Sequence, residues 1–235
     1  MKLSEHLALA RAFNKEIRNV KDFPDTFLTT LLNNGGVDVT KEAKFFPDDN
    51  TFNVVADQKE YNITELSSKF LTMEKSGIYF NTGTVAAPVW LQLWPVTRKY
   101  MDEHIRDWRN ANSGSPQYYF KEGNTITFYP TPEDSLNGGF KAYFYKKPIA
   151  MSGTDDYLFE GTTEISDLII FDDTVQKYLE WKVSKVLNKT KEIQLAYEQE
   201  YIRDRAYNIA LYNMSPDVVN SRKMRFRMRR MPKRF

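Results

Sequence analysis

The sequence predicts an α+β fold with three parts: a helical bundle from the N- and C-terminal helices, a central antiparallel β insert, and an extended basic C-terminal arm. Apolar residues recur at helical spacing near both ends of the 235-residue chain, whereas its middle reads as short aromatic strands and turns. The last fifteen residues include eight basic side chains and no acidic one. The predicted domains are the bundle (1–50 and 160–216), a β domain with one short helix (51–159) and the arm (217–235).

The N-terminal region predicts two helices. The first runs from Ser4, which can cap it, to Ile17, with Leu7 and other apolar residues near one face. The second starts at Pro24, because proline suits the first helical turn, and ends before Gly35.

Short strands are predicted from residue 51 to residue 146. They are Thr51–Val55, Phe70–Lys75, Ile78–Asn81, Val89–Trp94, Tyr118–Lys121, Thr125–Tyr129 and Phe140–Lys146. The last has the clearest period of two, with Phe140, Ala142 and Phe144 on one face. Gly123 predicts a tight hairpin between two strands, and Thr97 predicts the cap of one interposed helix.

The chain returns to helix after residue 161. Apolar residues at i, i+3, i+4 and i+7 predict a helix from Asp167 to Asn188. Thr190 predicts the cap of a further helix that ends at about Tyr212.

Composition excludes several classes of protein. The absence of cysteine excludes disulfides and thiolate metal sites, and two histidines far apart in sequence disfavour a zinc site. No apolar stretch reaches the ~18 residues of a membrane span, so we expect a soluble protein made in a cytosol. The net charge of +2 conceals an asymmetry: residues 1–220 hold 25 basic and 31 acidic side chains, and residues 221–235 hold eight basic ones. An acidic body with a cationic end is typical of a part that attaches to a partner.

The basic arm alternates arginine with apolar residues at the period of a strand. Its candidate docking residues are Arg222, Lys223, Met224, Arg225, Phe226, Arg227, Met228, Arg229, Arg230 and Met231. An isolated strand leaves its backbone groups unpaired and becomes stable when it joins a sheet edge. Three interpretations remain: docking on a partner protein, a solvated flexible end, and contact with the DNA backbone.

Catalytic motifs are absent from the sequence. It contains no dinucleotide-binding or P-loop glycine pattern and no nucleophile elbow, and nothing in it suggests a catalytic partner for His6 or His104. The acidic pairs Asp48–Asp49, Asp155–Asp156 and Asp172–Asp173 are typical of turns and helix N-termini. We therefore expect no catalytic residue, no metal site and no cofactor.

One short pattern keeps an enzymatic alternative open. The spacing of catalytic residues in metal-dependent nucleases is matched by Asp48, Asp57 and Lys59. In those enzymes two carboxylates hold Mg²⁺ and a lysine supports the attacking water. The same residues also fit a polar turn around Asp57–Glu60.

A series of residues in the middle of the chain resembles the head-to-tail adaptor (connector) proteins of tailed bacteriophages, including the tail tubular protein A type of short-tailed phages. The order of these residues carries the resemblance: Gly114, Pro116, Tyr118, Gly123, Asn124, Ile126, Pro130, Pro132, Tyr143 and Pro148.

The resemblance implies a structural virion protein rather than an enzyme. Such adaptors form a ring, usually of twelve copies, beneath the portal; the ring extends the DNA channel and docks tail or nozzle proteins. The implied partners are further copies of this chain, the portal, tail proteins, and genomic DNA that passes without sequence recognition; no membrane is implied. The implied location is the head–tail junction of the virion, after synthesis in the cytoplasm of a bacterial host. The alternative from another class is a DNA-binding module that uses the basic arm.

Overall fold

The computed structural model describes residues 1–13, 15–18, 20–63, 69–110, 113–161 and 165–214. The chain divides into two compact units. The helical unit comprises residues 1–43 and the chain from Pro148 onward, and the β unit comprises residues 44–147. Among the described residues, no helix combines the length and apolarity needed to cross a membrane.

Among the described residues, helices lie near both ends of the chain, and one lies within the β unit. In the described part of the chain they are α1 (Leu3–Phe13), α2 (Asp25–Ala43), α3 (Arg98–His104), α4 (Asp172–Val186) and α5 (Lys191–Met214), with 3₁₀ turns at Lys15–Arg18 and Ser166–Phe171. The predicted helix from Asp167 is therefore divided into a 3₁₀ turn and α4. The α+β class is confirmed, whereas the bundle arrangement and the predicted domain limits stay predictions.

Helix α4 is at the centre of the helical unit, where it contacts α1, α2 and α5. The apolar residues of α2 and α4 that meet there are fully buried and follow helical spacing. They are Leu28, Leu32, Val39, Val175, Leu179 and Val183. Burial of each such side chain contributes roughly 1.5–3 kcal/mol before the entropy of ordering is subtracted.

The predicted end of α2 at Gly35 is wrong, because the helix continues to Ala43. A Cβ at Gly35 would lie 3.0 Å from Cδ1 of Tyr178 and 3.1 Å from Cγ1 of Val175. The missing side chain lets α4 approach α2 closely, so this glycine serves helix packing rather than helix termination.

Hydrogen bonds of buried and half-buried polar groups join α5 to its neighbours. The carboxylate of Asp38 on α2 accepts hydrogen bonds from the hydroxyl of Tyr201 and from the guanidinium of Arg205 at 2.5 Å. Asn208 donates to the carbonyl of Ile170 at 2.9 Å and to the hydroxyl of Thr174 at 2.8 Å. Burial, followed by the hydrogen bond to Asp38, raises the pKa of Tyr201.

The β unit contains two four-stranded sheets. The strands are β1 (Pro47–Val54), β2 (Glu60–Asn62), β3 (Phe70–Asn81), β4 (Trp90–Gln92), β5 (Trp94–Pro95), β6 (Tyr118–Glu122), β7 (Thr125–Tyr129) and β8 (Leu136–Lys146). The first sheet has the order β1-β8-β3-β4 and the second β2-β7-β6-β5. The pairs are antiparallel as predicted, except that β5 runs parallel to β6.

An aromatic core lies between the two sheets. Phe128 of β7 stacks on Phe140 of β8 with ring centroids 4.0 Å apart, and Phe52 stacks on the same Phe140 at 5.0 Å. Tyr61 meets Phe128 edge-on at 5.4 Å. The alternation predicted for Phe140–Lys146 is confirmed, since Phe140, Ala142 and Phe144 are all buried.

Two predicted strands are one long strand, β3. Its pairing with β8 is irregular between Met73 and Ile78, where Gly77 has φ +69°. A Cβ at Gly77 would collide with the hydroxyl of Tyr119, which fills this position from the second sheet. The bulge therefore admits a buried tyrosine without interrupting the strand.

Strand β1 begins at Pro47, four residues before the predicted start. Asp48 and Asp49 were expected in a turn, but they extend the strand. On β8 a lysine lies diagonally across from each carboxylate: Lys146 at 3.6 Å from Asp48 and Lys141 at 3.0 Å from Asp49. Cross-strand charge pairs explain why acidic residues are accepted there.

Helix α3 packs on the second sheet. Thr97 caps it as predicted, since its hydroxyl accepts from the Tyr100 amide at 3.1 Å. Met101, Trp108 and Phe120 form the small core beneath the helix.

Replacing Gly35 by alanine tests the close approach of α2 and α4. Alanine improves helix propensity by ~1 kcal/mol, but overpacking against Tyr178 and Val175 costs about 1–3 kcal/mol. We expect Gly35→Ala to lower the free energy of unfolding, measured by urea denaturation. Asn34→Ala at the neighbouring exposed position of α2 is the control, and it should leave stability equal or slightly higher. A stabilised Gly35→Ala variant would contradict the packing argument.

Alkaline pH should destabilise the β unit through Tyr119. Burial raises the pKa of this phenol to about 12 in the folded protein, whereas the unfolded value is about 10. Above about pH 10 the unfolded chain releases a proton that the folded one retains, so stability falls as pH rises towards 12. Between about pH 8 and pH 11 this single group should cost about 1 kcal/mol. Urea denaturation should show a smaller loss for Tyr119→Phe than for the parent; equal losses would refute the assignment.

Candidate protein-interaction surface

A long exposed segment without charge lies on the β unit. No charged residue occurs in the 22 positions from Ser76 to Thr97, although 27% of the chain is charged. Most residues from 82 to 97, here called the neutral segment, are exposed. Its exposed apolar side chains are Val85 (64%), Val89 (61%), Leu91 (46%) and Trp94 (70%). Clustered apolar exposure of this kind is typical of a surface that contacts another protein.

Asn81 fixes the loop between β3 and β4 that opens the neutral segment. Its side chain is buried, and its amide oxygen accepts from the backbone amides of Gly83 and Val89, both at 2.9 Å. Its amide nitrogen donates to the carbonyl of Thr84 at 3.2 Å. One buried amide thus satisfies three backbone groups, so the loop presents Val85 and Val89 from a preorganised backbone.

The chain crosses from the first sheet to the second at Leu93–Trp94. The amide of Leu93 donates to Ile78 at 2.9 Å in the first sheet, and its side chain is fully buried. The next amide, that of Trp94, donates to Gln117 at 2.8 Å in the second sheet. Because Leu93 points into the core, its neighbour Trp94 is directed outward.

Trp94 borders an open groove of about 730 Å³. The residues that line it are Trp94, Pro95, Val96, Thr97, Tyr100 and Tyr118. Tyr100 is stacked on His104, with ring centroids 4.4 Å apart. His104 is exposed and Nδ1 lies 3.1 Å from the carbonyl of Tyr100, so this histidine supports the wall of the groove. An apolar or aromatic side chain of a partner fits this chemistry.

The residues that carry the family resemblance lie mostly in the β6–β7 hairpin and in the segments that flank it. Gly123 has φ +56° in the predicted β6–β7 hairpin, and Ile126 of β7 is buried. The amide of Gly114 donates to the carbonyl of Thr131 at 2.7 Å, which ties the segment before β6 to the segment after β7. Tyr118 is the member of this set that lines the groove. The arm residues 222–231 lie outside the described part of the chain.

The three residues of the nuclease alternative each have a structural environment. Asp48 lies within β1. Asp57 occupies a turn with φ +60° and accepts from the hydroxyl of Ser113 at 2.5 Å. The ammonium of Lys59 lies 4.4 Å from the ring centroid of Trp108, and burial lowers its pKa. Within the described ranges, no three histidine, aspartate or glutamate residues are placed to hold a metal ion.

The other acidic pairs have the structural roles that the sequence indicated. Asp156 accepts from the backbone amides of Ser152 and Gly153, both at 2.7 Å, and these hydrogen bonds lower its pKa. Asp172 and Asp173 lie in the first turn of α4, where the helix dipole favours negative charge.

The partners of His6 are not indicated by any pattern in the sequence. This histidine is completely buried, with Nε2 3.4 Å from the carboxylate of Asp172. Gln176 donates to its Nδ1 at 2.7 Å, and the N-terminal ammonium of Met1 lies 2.5 Å from Asp172. These partners are about 170 residues away in the sequence, so no local pattern indicates them. The neutral segment was also missed, but its uninterrupted lack of charge is a signal that the sequence does contain.

Comparison with known proteins agrees with a structural role. The model of the SU10 adaptor protein family matches residues 5–224, which is most of the chain. No curated protein matches the chain. The match extends through both units, and the geometry of the described residues offers an exposed apolar surface. The chain belongs to the SU10 adaptor protein family, whose members are structural adaptor proteins of bacteriophages.

Proposed function

We propose that this protein is a head-to-tail adaptor that forms a ring, with twelve copies expected, beneath the portal of a phage capsid. In this position it extends the DNA channel and docks tail or nozzle proteins. The family match over residues 5–224 is the observation that carries the proposal, because this family implies contact with portal and tail proteins in a virion. The tail tubular protein A type stays a prediction within this proposal.

The distribution of charge supports passage of DNA. Residues 1–43 and 148–220 hold 13 basic and 19 acidic side chains, whereas the β unit holds 12 of each. The acidic excess therefore belongs to the part of the helical unit that precedes the basic arm. Acidic walls repel phosphates, so DNA slides along them rather than binding.

The neutral segment supports docking of a tail protein. Its side chains carry no charge whose burial would need a partner ion, and Trp94 is the kind of residue that dominates binding energy at interfaces. We assign the docking of the tail or nozzle protein to this segment and the adjoining groove.

The basic arm supports attachment to the portal. Residues 223–229 alternate apolar side chains with arginine and lysine, and such a strand becomes stable on joining a sheet edge. We propose that the arm joins, as an added strand, the edge of a β-sheet in the portal or in a neighbouring subunit. The arm would then become ordered only when the assembly forms.

Deletion of residues 221–235 tests the role of the arm. We expect the truncated protein to lose attachment to purified portal protein in co-sedimentation, because the strand that joins the sheet edge is gone. Circular dichroism and urea denaturation should match the parent, since the deletion removes no described residue. Truncated protein that still attaches to the portal would refute this role.

The DNA-binding alternative predicts that the parent protein binds free DNA and that the protein without residues 221–235 does not. A module with eight basic contacts should lose several orders of magnitude in affinity between low and moderate salt in a filter-binding titration. An adaptor should bind free DNA weakly throughout. Tight, salt-sensitive binding that disappears with the arm would favour the alternative.

Replacing Trp94 by serine tests the docking surface. Since this side chain is 70% exposed, the free energy of unfolding should change by less than about 0.5 kcal/mol. Loss of a central interface tryptophan typically costs 2 kcal/mol or more, so attachment of tail protein to portal–adaptor complexes should weaken by about 30-fold. Val20→Ser, at an exposed apolar position of the helical unit, is the matched control. Quantitative negative-stain imaging measures attachment; equal attachment by both variants would exclude Trp94 from the interface.

A further inference from the structure

A short basic segment interrupts the acidic part of the helical unit. From Trp181 to Lys191 the chain has four lysines and no acidic residue. The lysines are Lys182, Lys185, Lys189 and Lys191. Residues 148–220 contain three other basic side chains, against 13 acidic ones. More than half of the basic residues in this part of the chain therefore lie at the end of α4 and the start of α5.

Two of these lysines converge on one aromatic ring. The ammonium of Lys182 lies 3.7 Å from the ring centroid of Trp181, and that of Lys185 lies 4.3 Å from the same centroid. The two ammoniums are therefore separated by at most the sum of these distances, 8.0 Å. The ammonium of Lys182 also lies 4.9 Å from the ring centroid of Tyr178. The attraction of cations to aromatic faces holds both lysines at this place.

No carboxylate pairs with these two ammoniums. In the described part of the chain, neither Lys182 nor Lys185 forms an ion pair. Burial, followed by the charge of Lys185, lowers the pKa of Lys182, and together they outweigh the attraction of Asp38 and Glu198. The negative end of the α4 dipole supplies about half a unit charge, against two whole positive charges. The positive charge at the ring is therefore not neutralised within the helical unit.

We propose that Lys182 and Lys185 bind phosphates of the DNA backbone. The identity of the ligand rests on the proposed function, because an adaptor that extends the DNA channel has DNA beside it. An ammonium donates a charge-assisted hydrogen bond of ~2.8 Å to a phosphate oxygen, so one phosphate between the two nitrogens, or two successive ones, binds both. Contacts to phosphate carry no sequence information. Two such contacts leave the binding of free DNA weak, which agrees with DNA that moves through the channel.

Phosphate fits this pair better than the carboxylates of an acidic protein do. Lysine presents a compact point charge, whereas arginine presents the planar fork that matches a carboxylate with two parallel hydrogen bonds. All four basic residues of this segment are lysine. Lys185 and Lys191 are exposed, and Lys182 and Lys189 are half-buried. The positive surface therefore extends beyond a single anion, as contact with a polyanion requires.

The indole signal of Trp181 in a nitrogen–proton NMR spectrum tests the site in the full-length chain. Its N–H group is buried and has no hydrogen-bond partner among the described residues, so its resonance depends on the surroundings of the ring. Trp181→Phe identifies this signal among those of the four tryptophans. We expect the signal to shift on titration with pyrophosphate and, separately, with a short DNA duplex at low salt.

Two double variants separate the charge from the packing of the ring. Lys182→Met combined with Lys185→Met keeps the side-chain stems on the ring and removes both charges. The pyrophosphate concentration at half-saturation should then rise at least ~10-fold, and the duplex should no longer shift the signal. Lys182→Arg combined with Lys185→Arg keeps both charges and should retain both responses. Lys41→Met, at an exposed lysine of α2, is the matched control and should behave like the parent.

The pattern of shifts decides the inference. Shifts with pyrophosphate and with the duplex that both require the two charges support it. The absence of a pyrophosphate shift overturns the anion site, as do equal losses in the methionine, arginine and control variants. A shift with pyrophosphate alone overturns the assignment to DNA. A larger shift with polyglutamate than with the duplex also overturns it and indicates an acidic protein.

Co-sedimentation of the same chains with portal protein separates this inference from the proposed function. The variant with both methionines should attach to the portal like the parent, because the arm is intact. A chain that shows the phosphate response but does not attach to the portal supports the phosphate site and counts against the adaptor proposal. A chain that attaches to the portal without any phosphate response overturns the phosphate site alone.

Discussion

The stack of Phe128 on Phe140 is the interaction on which the β unit depends. It joins β7 to β8 with ring centroids 4.0 Å apart and an interplanar angle of 12°. Each of these strands lies inside its own sheet, flanked by strands on both sides. Removing a buried aromatic ring of this kind typically costs 3–5 kcal/mol. The neutral segment crosses from one sheet to the other, so the position of Trp94 is determined by the same core that holds the sheets together.

The helical unit depends on a different constraint, because its two parts are distant in sequence. α1 and α2 precede the β unit and α4 and α5 follow it, so the unit closes only when about a hundred intervening residues are accommodated. The entropy of closing a loop grows only logarithmically with its length. Contacts such as His6–Gln176 and Asp38–Arg205 compensate for it by linking residues of the first part to residues of the second. These polar contacts between distant residues therefore specify which helices pair, in addition to stabilising the pairs.

Local signals predicted their elements well, and failures occurred where distant residues decide the outcome. Thr97 caps α3 and Gly123 forms the β6–β7 turn because both depend on a few adjacent residues. Gly35 was misread because its role depends on Tyr178, more than 140 residues away. Similarly, Asp48 is accepted in β1 because Lys146, which is diagonal to it on β8, forms an ion pair with its carboxylate. Of the candidate surface, the sequence could have indicated the uncharged stretch, but not that Leu93 turns inward and directs Trp94 outward.

The physical cost of exposing the neutral segment is an argument for an assembly protein that is independent of the family match. Charged surface residues keep a monomer soluble. The neutral segment lacks them over the whole β3–β4 loop and strand β4. Because the segment carries no charge, a partner that covers it desolvates no unpaired ion. The free energy gained from burying the apolar side chains is therefore not offset by the cost of burying charge. Asn81 holds the loop in one conformation before any partner arrives, which reduces the entropy lost on docking. A surface that is costly when free and favourable when covered is what an adaptor between two protein assemblies requires.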